Sequence, residues 1–165
     1  MYSGMRIGEI CALKWSDIDL QSGIIRISKT VQRINDKIGS SKTKIIVGSP
    51  KSRTSEREIP IPNCLVNILN ERRQNENNYI LSGTHKLIEP RTMQNRFKSV
   101  LKKCGIRNVN FHLLRHTYAT VCIENGFDAK TVSELLGHSN VNITLSHSNS
   151  NTKTYNHIIK HFHRY

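Results

Sequence analysis

The sequence predicts an α+β fold, mostly helical, with a small three-stranded antiparallel sheet in its first half. Three observations predict it. Short stretches at 24–27, 30–34, 43–47 and 57–61 alternate apolar and polar residues as strands do, with turn residues between them. Longer stretches at 91–104 and 110–137 repeat apolar residues at helical spacing and run into glycine. The chain has 165 residues, the length of one domain with its own core.

The charge narrows the partner before any motif is considered. Lys and Arg number 25 against 12 acidic residues, a net charge of +13. Such an excess points to a polyanion, and nucleic acid comes before membrane because no apolar run approaches the length of a spanning helix. Cys11, Cys64, Cys104 and Cys122 are far apart with no C-x-x-C. They read as buried thiols in a reducing cytosol, so a cytoplasmic location is expected. The first ten residues lack the long apolar run of a signal peptide.

In order along the chain, Ile7, Ile10, Cys11 and Leu13 make the stripe of a first helix, with Arg6 and Glu9 three residues apart on another side. An exposed pair of that kind contributes well under about 1 kcal/mol. A buried Arg6 oriented by Glu9 would instead present its fork to a phosphate. The stripe starts with nothing before it to cover it, so the sequence is expected to be a piece of a longer chain. Turn residues fill 15–23, and the four strand-like stretches follow. Residues 48–57 read G-S-P-K-S-R-T-S-E-R and are expected to form a hairpin tip carrying Lys51, an ammonium able to act as a proton donor beside a DNA groove. Asn63 is placed as the cap of a helix with Leu65, Val66, Ile68 and Leu69 on its apolar side, and 79–81 as a brief strand. In 91–104, Met93, Phe97, Val100 and Leu101 line one face and Arg96, Lys98, Lys102 and Lys103 the other, a basic face suited to a phosphate backbone. Stretches 141–145 and 152–162 are expected to be short helices.

The stretch 110–139 carries the chemistry. Asn110 is a candidate N-cap, Leu114, Tyr118, Val121 and Cys122 face the core, Gly126 ends the first helix and Gly137 the second. His112 and Arg115 are neighbours on the helix surface, and His138 follows Gly137, so two imidazoles and a guanidinium can converge on one anion. His112 and His116 also have the spacing of zinc ligands. Leu113, however, stands where H-E-x-x-H has its general base, so neither metal nor cofactor is expected.

These pieces together resemble the catalytic domain of the tyrosine recombinases, the phage-integrase family. The resemblance rests on S-G-M-R-I-G-E-I-C-A-L-K-W-S-D-I-D, S-P-K-S-x-x-S-x-R-x-I-P-I-P, I-E-P-R-T-M-Q-N-R-F, F-H-L-L-R-H-T-Y-A-T and L-L-G-H-S, in that order. It implies a catalytic domain over residues 1–165, without the N-terminal core-binding domain of the family and without the first catalytic-domain helix. It also implies site-specific cleavage and rejoining of double-stranded DNA through a 3′-phosphotyrosyl intermediate, without metal, by a homo-oligomer that is a tetramer in relatives. By the resemblance, Arg6 and Arg115 clamp the phosphate, His112 and His138 donate hydrogen bonds, Lys51 protonates the leaving 5′-oxygen and Glu9 holds Arg6. Arg53, Arg91 and Arg96 are candidate DNA contacts.

The nucleophile departs from the family pattern. T-L-S at 144–146 runs directly into His147, where relatives have T-L-x-x-Y-x-H. Two alignments stay open. In one, Tyr155, in T-Y-N-H, is the nucleophile beyond a longer loop. In the other, a few residues including the tyrosine are missing between Ser146 and His147. The alternative functions are a DNA-binding fragment of the same fold lacking its nucleophile, and a metal-dependent phosphoesterase using His112 and His116.

Overall fold

The computed structural model describes residues 3–36, 42–49 and 56–138. Among them the elements run α1 (Ile7–Ala12), a 3-10 turn (Trp15–Asp17), β1 (Ile18–Asp19), β2 (Ile24–Ile27), β3 (Thr30–Asn35), β4 (Thr43–Gly48), β5 (Arg57–Pro60), α2 (Asn63–Glu71), α3 (Pro90–Lys103), α4 (His112–Glu124) and α5 (Ala129–Leu136). The expected α+β class is what the chain adopts.

The strands divide into two antiparallel groups. β1, β2 and β5 form a three-stranded sheet with β2 in the centre, and β3 pairs with β4 as a separate ribbon. Among the described residues the last two strands do not pair as expected: β4 takes β3 as its partner, and β5 pairs with β2, Ile27 opposite Arg57, while the expected tip at 50–55 lies outside those residues. Alternation along a strand marks which residues face inward but not which strand lies alongside. β1 falls within 15–23, where only turn residues were expected, because two residues are too few to alternate.

Three apolar clusters hold these layers. Leu13, Ile18, Ile25, Ile27, Ile59 and Ile61 pack between the sheet and α2. Cys11, Ala12 and Val31 join α1 to the ribbon and, through Met93, to α3. Ala119 and Cys122 of α4 meet Val132 and Leu136 of α5. Contact between α1 and β3 is close enough that a Cβ on Gly8 would lie 2.6 Å from Thr30 Oγ1.

Several side chains lie elsewhere than the periodicity placed them. Val100 and Ile68 are half exposed, on the solvent side of their stripes. Cys11 and Cys122 are buried thiols, whereas Cys64 and Cys104 are exposed. Pro62, not Asn63, takes the N-cap position of α2. Helices 141–145 and 152–162 lie outside the described residues.

Candidate active site

The site is built on the C-terminal end of α5. Asp128 starts that helix, its Oδ1 accepting from the amides of Lys130 and Thr131 at 3.0 and 2.9 Å. Val132 and Leu136 are fully buried against α4, which fixes how the helix lies. Gly137 ends it in the left-handed region at φ 65°. There the Gly137 amide donates to the Glu134 carbonyl and the His138 amide to the Ser133 carbonyl, a Schellman closure. Each of the next three carbonyls takes an arginine. Arg57 Nε donates to Leu135 O at 2.6 Å, Arg115 Nη2 to Leu136 O at 2.6 Å and Arg6 Nη2 to Gly137 O at 2.8 Å. Three cations thus meet the negative end of one helix dipole.

Glu9, on the first turn of α1, ties two of them together. Its Oε2 accepts from the Arg6 amide at 2.8 Å and from Arg57 Nη2 at 2.9 Å, and its Oε1 from Arg6 Nη1 at 2.8 Å and Arg57 Nη1 at 3.1 Å. Only 2% of the carboxylate side chain is exposed. Burial alone would raise its pKa, but the bonds and charge of Arg57, followed by the bonds of Arg6, outweigh that and hold it below the ordinary value. The carboxylate is therefore ionised at neutral pH.

Arg115 completes the group from α4. It is 2% exposed, and its Nη1 donates to Gly4 O at 2.8 Å, tying the N-terminal segment to the same point. Burial, then the charges of Arg6 and Arg57, against the opposing pull of Glu9, bring its pKa down to about 9, so it stays a cation at neutral pH. Three guanidiniums against one carboxylate leave a formal +2. Arg6 keeps 37% of its side chain exposed and forms the open side of the cluster.

The imidazoles stand at the rim. His112 opens α4, its amide donating to Asn110 Oδ1 at 3.1 Å; Phe111, not Asn110, takes the N-cap position, and Asn110 steadies this end from one residue before it. The His112 ring meets that of His116 edge to face, centroids 4.7 Å apart. Burial, followed by the charges of His116, Arg115 and Arg6, lowers its pKa, so it is neutral at pH 7. His138 is half-buried and follows Gly137, whose carbonyl Arg6 holds.

Of the residues predicted from sequence, the structure brings together Arg6, Glu9, His112 and Arg115, with His138 adjoining. Arg91 and Arg96 are exposed on α3. Lys51, Arg53 and Tyr155 lie outside the described residues. Arg57 had no role assigned. Its signal is the strand period, which puts it on the same side of β5 as Ile59 and Ile61, the inward side. An arginine at an inward strand position needs a buried partner, and Glu9 is that partner. Among the described residues no three of His, Cys, Asp and Glu gather as a metal site, and no helix is long and apolar enough to cross a membrane.

A small α+β domain with an arginine cluster at one helix end defines a class, and the comparisons agree on which. Residues 1–158 match the phage integrase family, and the chain belongs to that family. Among curated proteins it is similar to a tyrosine recombinase XerC-like protein of Caldanaerobacter subterraneus subsp. tengcongensis, 35% identical over 161 residues, covering 86% of this chain and 41% of that protein. Tyrosine recombinase XerA of Thermococcus onnurineus is 30% identical over 149 residues, covering 86% and 45%. The chain thus spans less than half the length of these relatives. Among solved structures, XerA recombinase superposes with a TM-score of 0.70 at 27% identity, covering 99% of this chain and 54% of that one. The Tn1549 transposon integrase, in complex with circular intermediate DNA, superposes at 0.71 and 21% identity, covering 96% and 55%, a likeness of fold.

Proposed function

We propose that this chain is the catalytic part of a site-specific DNA recombinase, which cleaves and rejoins strands of double-stranded DNA through a covalent 3′-phosphotyrosyl intermediate without metal. The observation that carries this reading is the convergence of Arg6, Arg115 and Arg57 on three successive carbonyls of α5. A phosphodiester carries one negative charge and gains a second as an oxygen nucleophile adds to it. A preassembled cluster of formal charge +2 suits that dianion, and it needs no reorganisation at the moment of reaction.

In this scheme Arg6 and Arg115 hold the non-bridging oxygens, and Glu9 keeps Arg6 in place. His112, neutral at pH 7, and His138 donate hydrogen bonds to the same oxygens. Lys51 gives a proton to the departing 5′-oxygen. A tyrosine oxygen, its proton released to solvent, attacks phosphorus as the P–O5′ bond breaks and the 5′-oxygen leaves with the proton from Lys51; attack by a 5′-hydroxyl on the phosphotyrosine, its proton returning to Lys51 and the tyrosine oxygen leaving, reverses the step. Tyr155 is the candidate nucleophile within the chain, and the alternative is a tyrosine missing between Ser146 and His147. The XerA and Tn1549 likenesses support the recombinase reading, and the net charge of +13 supports a DNA partner. Arg53, Arg91 and Arg96 would contact the DNA backbone. Assembly into a homo-oligomer on DNA, and work in the cytoplasm on a mobile element, follow from the same reading.

A nicked suicide DNA substrate tests it. Incubated in EDTA, the protein is expected to form an adduct that resists denaturant. Binding without an adduct would instead support the second reading, a DNA-binding fragment of this fold without its nucleophile.

A further inference from the structure

We propose that Arg57 is a positioning residue of this site, holding Glu9 and the end of α5 so that Arg6 and Arg115 stay aimed at one anion; the proposal rests on the function given above. Four observations lead to it.

Arg57 is poorly placed to bind substrate itself. Whereas Arg115, just as buried, keeps an Nε with no hydrogen-bond partner among the described residues, Arg57 donates from Nε, Nη1 and Nη2 alike to protein oxygens. Its bonds instead run to the parts that hold the other two arginines. Nη1 and Nη2 take one oxygen each of Glu9, and Nε takes Leu135 O. Leu135 directly precedes Leu136 and Gly137, whose carbonyls hold Arg115 and Arg6. Finally, its backbone is fixed from outside the site, because Arg57 opens β5 and pairs with Ile27 in the ladder with β2. Arg57 is thus the link by which the three-stranded sheet sets the height of α5 and the position of Glu9.

Removing it changes two things together. Glu9 would be left with Arg6 as its only guanidinium among the bonds described, which draws Arg6 towards the carboxylate and away from the open side. The formal charge of the cluster would fall from +2 to +1, with Leu135 O deprived of its donor. Displacing a reacting group by about 1 Å commonly costs about 10²-fold in rate.

The test uses the full-length chain and single-turnover cleavage of the suicide substrate, with Arg57→Ala and Arg57→Lys. In folded Arg57→Ala protein the cleavage rate constant is expected to fall about 10²-fold while the DNA dissociation constant stays within about threefold. Arg57→Lys, which keeps the charge but cannot fork to both Glu9 and Leu135 O, is expected to lie between wild type and alanine. A purely architectural role would lower the reaction amplitude and leave the rate constant unchanged, and that result overturns the proposal. A readout independent of activity is the ordering of the Arg6 Nε–H by nitrogen-15 relaxation in DNA-free protein. It is expected to loosen in Arg57→Lys, which retains the charge needed for folding, and an unchanged Arg6 overturns the positioning role. A wild-type protein that forms no adduct would sink the recombinase reading, whereas an unmoved Arg6 would sink the assignment to Arg57.

Discussion

Arg6 and Gly137 are joined across 131 residues of sequence by a 2.8 Å hydrogen bond from Nη2 to the backbone carbonyl. The bond closes the first described turn of the chain onto the last, and Glu9 determines whether it holds. Glu9 accepts from both Arg6 and Arg57 in a place with almost no solvent, so its loss leaves two guanidiniums facing each other without a counter-charge. Glu9→Gln is expected to destabilise the fold by about 3–5 kcal/mol in urea denaturation at neutral pH, the usual cost of breaking a buried pair from one side. The pH dependence has a definite sign. Because the folded pKa of Glu9 lies below the ordinary 4.5, its contribution is full above that pH and is lost as pH falls through the folded value. The stability gap between wild type and Glu9→Gln is therefore expected to narrow on acidification below pH 4.5. A gap that stays constant down to acid unfolding would contradict the ionised carboxylate.

Gly4 sits where three constraints meet. Its φ is 58°, its carbonyl accepts from Arg115, and a Cβ there would lie 2.6 Å from both Leu136 Cδ2 and Tyr118 Cδ1. The left-handed backbone costs a non-glycine residue about 1–2 kcal/mol, and overpacking adds about 1–3. Gly4→Ala is accordingly expected to lose about 2–5 kcal/mol and to weaken the Arg115 bond with it. Chemical denaturation checks the first, and a reduced single-turnover rate in the folded fraction checks the second.

Arg115 serves as both strut and proposed clamp, so an alanine there confounds the two. Arg115→Lys keeps a cation but gives up the planar fork that spans Gly4 O and Leu136 O. The expected result is a fall in DNA cleavage of about 10²–10³-fold, with DNA affinity changed far less. Near-normal cleavage by this variant would remove Arg115 from the mechanism.

His112 lies close enough to Arg115 and Arg6 to feel their charge. Burial and these neighbours hold its pKa below 6.5, so in DNA-free protein its ring is expected to titrate below that value by NMR. A folded pKa below the unfolded one means that the stability contribution is present above pH 6.5 and is lost as pH falls through the folded value. A bound phosphate brings negative charge and is expected to shift the titration upward. A ring that titrates at or above 6.5 without DNA, or that ignores its addition, would place His112 outside the cluster.

What could be read from sequence follows from how local each signal is. His112 and Arg115 share one helix, and Arg6 and Glu9 share another, so spacing alone makes each pair neighbours. The α5 ending was legible too, because only glycine takes φ 65° without strain and Gly137 follows the last apolar turn. Arg57 was not found because its partners, Glu9 and Leu135, lie 48 and 78 residues away. The sequence does not reveal the strand pairing for a related reason. Nothing local distinguishes β5 against β4 from β5 against β2, and the choice is made by the shared core of Ile25, Ile27 and Ile59.

The basic face of α3 gives the last prediction. Arg91 and Arg96 are exposed on that helix, and neither takes part in an ion pair among those described. If α3 lies along a DNA backbone, each such arginine displaces about one condensed counterion, and binding falls with added salt in proportion to the number of contacts. Arg96→Ala is expected to weaken binding alike on all DNA sequences and to reduce the slope of log affinity against log salt by about 1. Arg91→Ala is expected to do the same, and the double variant to reduce it by about 2. Both residues are exposed, so folding stability should stay within about 0.5 kcal/mol of wild type. Titrations of fluorescent duplex DNA at several salt concentrations measure the slope. A slope unchanged in the double variant would move the DNA off α3 and leave the arginine cluster at α5 to be reached from another side.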